Sequence, residues 1–145
     1  MRRGVKVEVL GLKELDEALN AFTPGKRRAI GRKALDEGGQ ITARAARTLA
    51  PVDEGNLQES IDVSGVLSRR QRGLHSKVDE QERFIGPGTH PQGHLREFGS
   101  DGHPPQPFMR PAWDSTKNQV LQRIGDELWL GVARETERMN KKAAK

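Results

Sequence analysis

With 145 residues, 33% of them hydrophobic and 31% charged, the chain has room for one domain but little apolar material for a core. It contains no cysteine, which excludes disulfides, thiolate metal sites and a cysteine nucleophile. The net charge of +5 is a mild basic bias, because 20 acidic residues are interspersed among 25 basic ones. Neither a signal-peptide core nor an apolar run of about 18 residues is present, so no membrane partner is expected. So small a core implies that part of the burial comes from partner subunits.

In chain order, Val5, Val7 and Val9 alternate with Lys6 and Glu8, the period of a half-buried strand. Leu12, Leu15, Leu19 and Phe22 then fall at helical spacing. Thr23-Pro24 is a helix start, with Thr23 as N-cap and Pro24 at the first helical position. From there Ile30, Ala34, Gly38, Ile41, Ala45 and Leu49 form a stripe that predicts a long helix, about 39 Å at 1.5 Å per residue. Gly38-Gly39 weakens that helix by about 1 kcal/mol per glycine relative to alanine. Such a cost at the centre of a stripe of small residues points to a close backbone approach or a bend. The opposite face carries Arg27, Arg28, Arg32, Lys33, Arg44 and Arg47, the ordinary pattern of a solvated face.

Pro51 stops the helix, and Asp53-Glu54-Gly55-Asn56 is turn chemistry. Ser60 to Leu67 reads as a strand with Ile61, Val63 and Val66 turned inward. Ser68 to Lys77 reads as the tip of an extended hairpin whose return strand runs from Val78 to Ile85. Residues 86–110, dense in Gly, Pro and His, predict a long irregular loop with at most one helical turn at Leu95 to Phe98. Pro111 opens a last helix whose buried stripe is expected at Trp113, Val120, Ile124, Leu128 and Val132, widened by Leu121 and Trp129. It is expected to end near Met139, leaving 140–145 as a flexible tail. The expected fold is α+β over a single domain, 1–145: a small antiparallel sheet with an extended hairpin, packed on a long central and a long C-terminal helix.

Chemistry-bearing patterns are sparse. His90 and His94 have the spacing of helical metal ligands, but Pro91 and Gly93 between them argue against a helix there. Glu97 or Asp101 would also have to join them, so polar loop residues are the simpler reading. Ser60, Ser100, Asp101 and His103 sit in no nucleophile turn, and Gly86-Pro87-Gly88 lacks the Lys-Ser/Thr of a phosphate loop. No catalytic residue, metal or cofactor is therefore expected, and the protein reads as a non-enzyme. Arg69, Arg70 and Arg72 could neutralise phosphates, which makes a small basic DNA-binding accessory protein the alternative function. No aromatic is interleaved with that cluster to stack on bases.

Two segments carry a family likeness. One is Leu49-Ala50-Pro51-Val52-Asp53-Glu54-Gly55-Asn56-Leu57-Gln58-Glu59-Ser60-Ile61, after a long helix. The other is Glu97-Phe98-Gly99-Ser100 followed by Pro104-Pro105-Gln106-Pro107-Phe108-Met109-Arg110-Pro111-Ala112, before a C-terminal helix, with Ile85-Gly86-Pro87 between the two segments. In this order they resemble the gene-product-ten-like tail-component or tail-completion proteins of long-tailed bacteriophages, over roughly residues 5–135. Glu54 departs from the pattern, which usually has Thr there.

The resemblance implies a structural virion protein, assembled in the host cytoplasm into a ring, naturally a hexamer, in the neck. Its partners would be a head-closure or adaptor protein on one side and a tail terminator or tail tube protein on the other, with incidental contact to genomic DNA left open. A closed ring of heterologous contacts needs two different patches per subunit. The candidates are the hairpin tip, with Arg69, Arg70 and Arg72, and the segment Phe98, Pro104, Pro105, Pro107, Phe108, Met109 and Arg110. The competing role for Phe98, Phe108 and Trp113 is to anchor the loop on the subunit's own core. Arg110, at the positive end of a helix, is expected to pair with a carboxylate in its own chain or a neighbour.

Overall fold

The computed structural model describes residues 11–52 and 55–145. The strand expected at Val5 to Val9 and the turn residues Asp53 and Glu54 lie outside them. The element order is α1 (Leu12–Asn20), α2 (Pro24–Leu49), α3 (Asn56–Ser60), β1 (Asp62–Ser64), α4 (Arg69–Arg72), β2 (Phe84–Gly86), α5 (Pro91–Phe98) and α6 (Met109–Ala143). The fold is α+β and mostly helical, with a two-stranded antiparallel sheet and long central and C-terminal helices. Among the described residues no helix is long and apolar enough to cross a membrane.

The α2 helix begins as its sequence dictates. Thr23 is extended and its hydroxyl accepts from the Lys26 N–H, while Pro24 occupies the first turn, where its missing N–H costs nothing. Antiparallel to α2 lies α6. Lys26 pairs with Glu135, Ile30 faces Gly131, Gly38 faces Ile124, and Thr42 meets Thr116. The sheet covers another side of α2, with Val63 paired opposite Ile85.

Gly38 and Gly39 divide these two tasks between them. A Cβ at Gly38 would lie 2.7 Å from Ile124 Cγ1 and 3.3 Å from the Val120 carbonyl, so Gly38 admits α6. A Cβ at Gly39 would lie 2.9 Å from Val63 Cγ2, so Gly39 admits the sheet. The close approach is real on both sides, and it accounts for two poor helix formers in mid-helix.

Tight packing also corrects the expected stripes. On α2 the buried residues are Ala34, Gly38, Gly39, Thr42, Ala43 and Ala46, while Leu49 is exposed. On α6 they are Ala112, Thr116, Val120, Glu127 and Val132; Trp113, Leu121 and Trp129 lie at the surface. Helices whose backbones approach closely select small side chains for the contact, so the large apolar residues flank it. The core accordingly falls into two clusters. One joins Ala43, Ala46, Ala50, Leu57, Ile61, Phe108 and Ala112. The other joins Leu15 of α1 and Phe22, just beyond it, to Val132.

At the centre of the α2–α6 contact, the Thr42 and Thr116 hydroxyls are buried 2.8 Å apart. Thr116 Oγ1 also donates to the Ala112 carbonyl at 2.6 Å, which uses its only proton, so Thr42 donates to Thr116. Thr116→Val therefore orphans the Thr42 hydroxyl and should cost roughly 1–3 kcal/mol. The double variant with Thr42→Val should recover much of that loss in a denaturant-unfolding cycle.

The extended hairpin is not formed. Its strands are three residues each, and the excursion between them is partly helical. Ser68 and Gln71 make a reciprocal capping box, side chain to backbone in both directions, which nucleates α4 where a β-turn was expected. Val66 is exposed, and of the expected inward residues Ile61 is fully buried and Val63 partly so. Arg83 ties the returning chain to α2 through Asp36 at 2.6 Å. The last helix also runs further than expected, to Ala143.

Among the described residues, three carboxylates are held below their ordinary values. Asp62 is lowered by hydrogen bonds from the Gln40 side chain and the Val63 N–H, with a smaller attraction from Arg47. Glu135 is lowered first by its bond from Lys26, and Glu82 by His75 and the Val78 N–H. A carboxyl whose folded pKa is depressed stabilises fully above its unfolded pKa and loses that contribution as pH falls through the folded one. Melting temperature should thus stay level from neutral pH down to the ordinary carboxylate range and decline below it, as calorimetry across a pH series would show.

Candidate assembly groove

The long loop expected over residues 86–110 is largely built structure. The His90 Nδ1 atom accepts from the Gln92 N–H, Pro91 takes the first helical position, and α5 runs eight residues to Phe98. Proline between His90 and His94 thus starts a helix that was expected to be absent, because at the first turn it breaks no hydrogen bond. Gly93 is buried where the chain packs on Pro87. Gly99 ends the helix with φ +80°, and a Cβ there would lie 3.0 Å from Pro105 N. The chain then doubles back through a Ser100–His103 bridge, and the Gln106 N–H donates to the Arg96 carbonyl at 2.7 Å.

This return delivers Phe108 to the core and starts α6. The N-cap residue of α6, Phe108, has no side chain able to cap. Glu97 of α5 does so from a distance in sequence. Its Oε2 accepts from the N–H groups of Phe108 and Met109 at 2.8 and 2.9 Å, and its Oε1 accepts from that of Arg110 at 3.0 Å. A carboxylate over the positive end of a 35-residue helix also complements its dipole. The Glu97-Phe98-Gly99 and Phe108-Met109-Arg110-Pro111 motifs are therefore two halves of one junction. Sequence reading found both halves but missed the cap. The available signal was a helix start with no Ser, Thr, Asp or Asn before it.

The anchoring question resolves residue by residue. Phe108 is fully buried, whereas Phe98 is 61% and Trp113 46% exposed. Phe108 anchors the junction, and the other two aromatics present surface.

Beside the junction lies a groove of about 570 Å³, lined among others by Arg69, Arg70, Ile85, Phe98, Met109 and Arg110. It brings α4 of the first candidate patch together with the α5–α6 junction of the second, so the two segments form one surface. Arg72, Pro104, Pro105 and Pro107 are exposed but stand outside its lining. Its lining mixes cationic and apolar side chains. Among the described residues, no carboxylate pairs with Arg69, Arg70 or Arg110. The one carboxylate in the lining, Glu97, is spent on three N–H groups. Arg110 thus meets an acidic residue through its backbone, and its guanidinium stays available. His94 in the lining leans on Phe98, ring centroids 5.0 Å apart. Among the described residues no three His, Asp or Glu side chains stand together as a metal site.

Guanidiniums beside exposed apolar side chains are the chemistry of protein–protein contact surfaces. That class agrees with the family comparison. Residues 13–99, more than half of the chain, match the family described as "Bacteriophage HK97-gp10, putative tail-component", and the chain belongs to that family. No curated protein and no solved structure matches the chain. It is accordingly a phage tail component, a structural protein associated with the virion and with other virion proteins.

Proposed function

We propose that the protein is a tail-completion subunit that forms a ring, naturally a hexamer, in the neck of a long-tailed phage of the siphophage type, and joins the head-side connector to the tail by assembling and not by catalysis. The observation that carries this reading is the groove, whose lining holds Arg69, Arg70 and Arg110 together with exposed Phe98 and partly exposed Met109. Unpaired guanidiniums beside open apolar surface bind weakly to water-facing partners and well to a complementary protein surface. The apolar component favours a polypeptide over DNA, whose backbone needs only the charges.

The neighbours on this reading are a copy of the chain within the ring, a head-closure or adaptor protein above it and a tail terminator or tube protein below it. A phage with the gene deleted should accumulate filled heads and separate tails under the electron microscope. Normal numbers of joined, infectious particles would refute the proposal.

A further inference from the structure

On the ring reading, the groove needs an occupant, and the geometry points to helix α1 of a second copy. Of the three longest helices, α6, α2 and α1, only α1 carries net negative charge, with Glu14, Asp16 and Glu17 against Lys13. Its inner face is fixed by Leu15, which packs with Phe22 and Val132. Its other face lies outside that core cluster, and there Asp16 accepts a hydrogen bond from Asn20 of the same helix at 3.4 Å. Leu12 is 55% exposed, and Asp16, one turn further on, and Glu17 beside it are exposed as well. Leu12 with Asp16 one turn on, and Glu17 further round the helix, complement apolar side chains lined up with three guanidiniums.

The two surfaces also lie well apart along α6. Gly11 and the start of α1 abut Trp129, whereas the groove forms at Met109 and Arg110. Along α6 the separation is about 30 Å at 1.5 Å per residue. Complementary patches that far apart on one rigid helix pair cannot satisfy each other within a chain. They join copies head to tail, and a head-to-tail contact closes into a ring when the rotation per subunit permits. Leu12 packs against Phe98 and Met109, and Asp16 and Glu17 meet Arg69, Arg70 and Arg110. The same contact gives Arg110 the carboxylate that its position at a helix N-terminus requires.

The test is sedimentation velocity of the full chain over a concentration series, with circular dichroism to confirm folding. Wild type should form a closed oligomer. R69E/R70E and D16K/E17K should each raise the concentration needed for assembly at least tenfold, and the fourfold variant in one chain should restore it. Rings that form in wild type and are unmoved by either reversal overturn the α1–groove contact and leave the ring intact. Rings lost in both reversals but not recovered in the fourfold variant show that the two surfaces do not face each other, which also overturns it. A wild type that stays monomeric at every concentration overturns the ring reading itself, and this contact with it.

Discussion

Replacing Glu97 with alanine is expected to lower stability by roughly 2–4 kcal/mol, a large change for a side chain that is only partly buried. Three N–H groups at the start of α6 share this one carboxylate, at 2.8, 2.9 and 3.0 Å. Phe108, at the N-cap position itself, offers no side-chain cap. Phe108, whose N–H is among the three, is also the largest fully buried side chain of the described residues. Fraying the first turn therefore loosens the aromatic that seals the main core cluster. Glu97→Gln keeps one acceptor oxygen and loses the charge, and should cost about half as much. Denaturant unfolding of both variants checks the order. Equal, negligible losses would mean that water caps α6 as well as Glu97 does.

The second large effect is expected at Gly38. Valine there places a branched side chain where even a Cβ would lie 2.7 Å from Ile124 and 3.3 Å from a backbone carbonyl. The two helices would have to separate, at a cost of roughly 3 kcal/mol or more once overpacking and the cavities it opens elsewhere are counted. Gly38→Ala should already be destabilising, despite gaining about 1 kcal/mol of helix propensity. Gly125 supplies the control within the same helix pair. A Cβ there meets nothing within 4 Å, so Gly125→Ala should stabilise by about 1 kcal/mol. Thermal melts moving in opposite directions for the two alanine variants would confirm that Gly38 is a contact position. Melts moving together would deny it.

Local signals were legible in the sequence and relational ones were not. Thr23-Pro24 announces α2 because the cap and the first-turn proline act within four residues. Ser68-x-x-Gln71 carried an equally local signal for α4, which the expectation of a hairpin tip passed over. The buried stripes were legible in part: Ala34 and Gly38 on α2 and Val120 and Val132 on α6 are buried as expected, whereas Leu49, Trp113, Leu121 and Trp129 are exposed. Which face of a helix is buried depends on how closely its partner approaches, and here that is set by Gly38, Ala34 and Ala46 across from Ala112 and Val120. The groove was half legible. Its two segments were nominated separately, on charge and on proline content, but only folding puts Arg69 and Arg70 beside Arg110. Glu97 passed as one more loop carboxylate, since nothing within four residues of it needs a cap.

The residues that match the family, 13–99, end within the α5–α6 junction, where Glu97, Phe108 and Arg110 line the groove. The most direct test of its assembly role is electron cryomicroscopy of the neck of the intact virion, with this chain fitted to the density. A six-fold ring of the chain between the connector and the tail, each groove filled by a neighbouring polypeptide, is the expected result. Finding the chain elsewhere in the particle, or in place with the groove facing solvent, would contradict it.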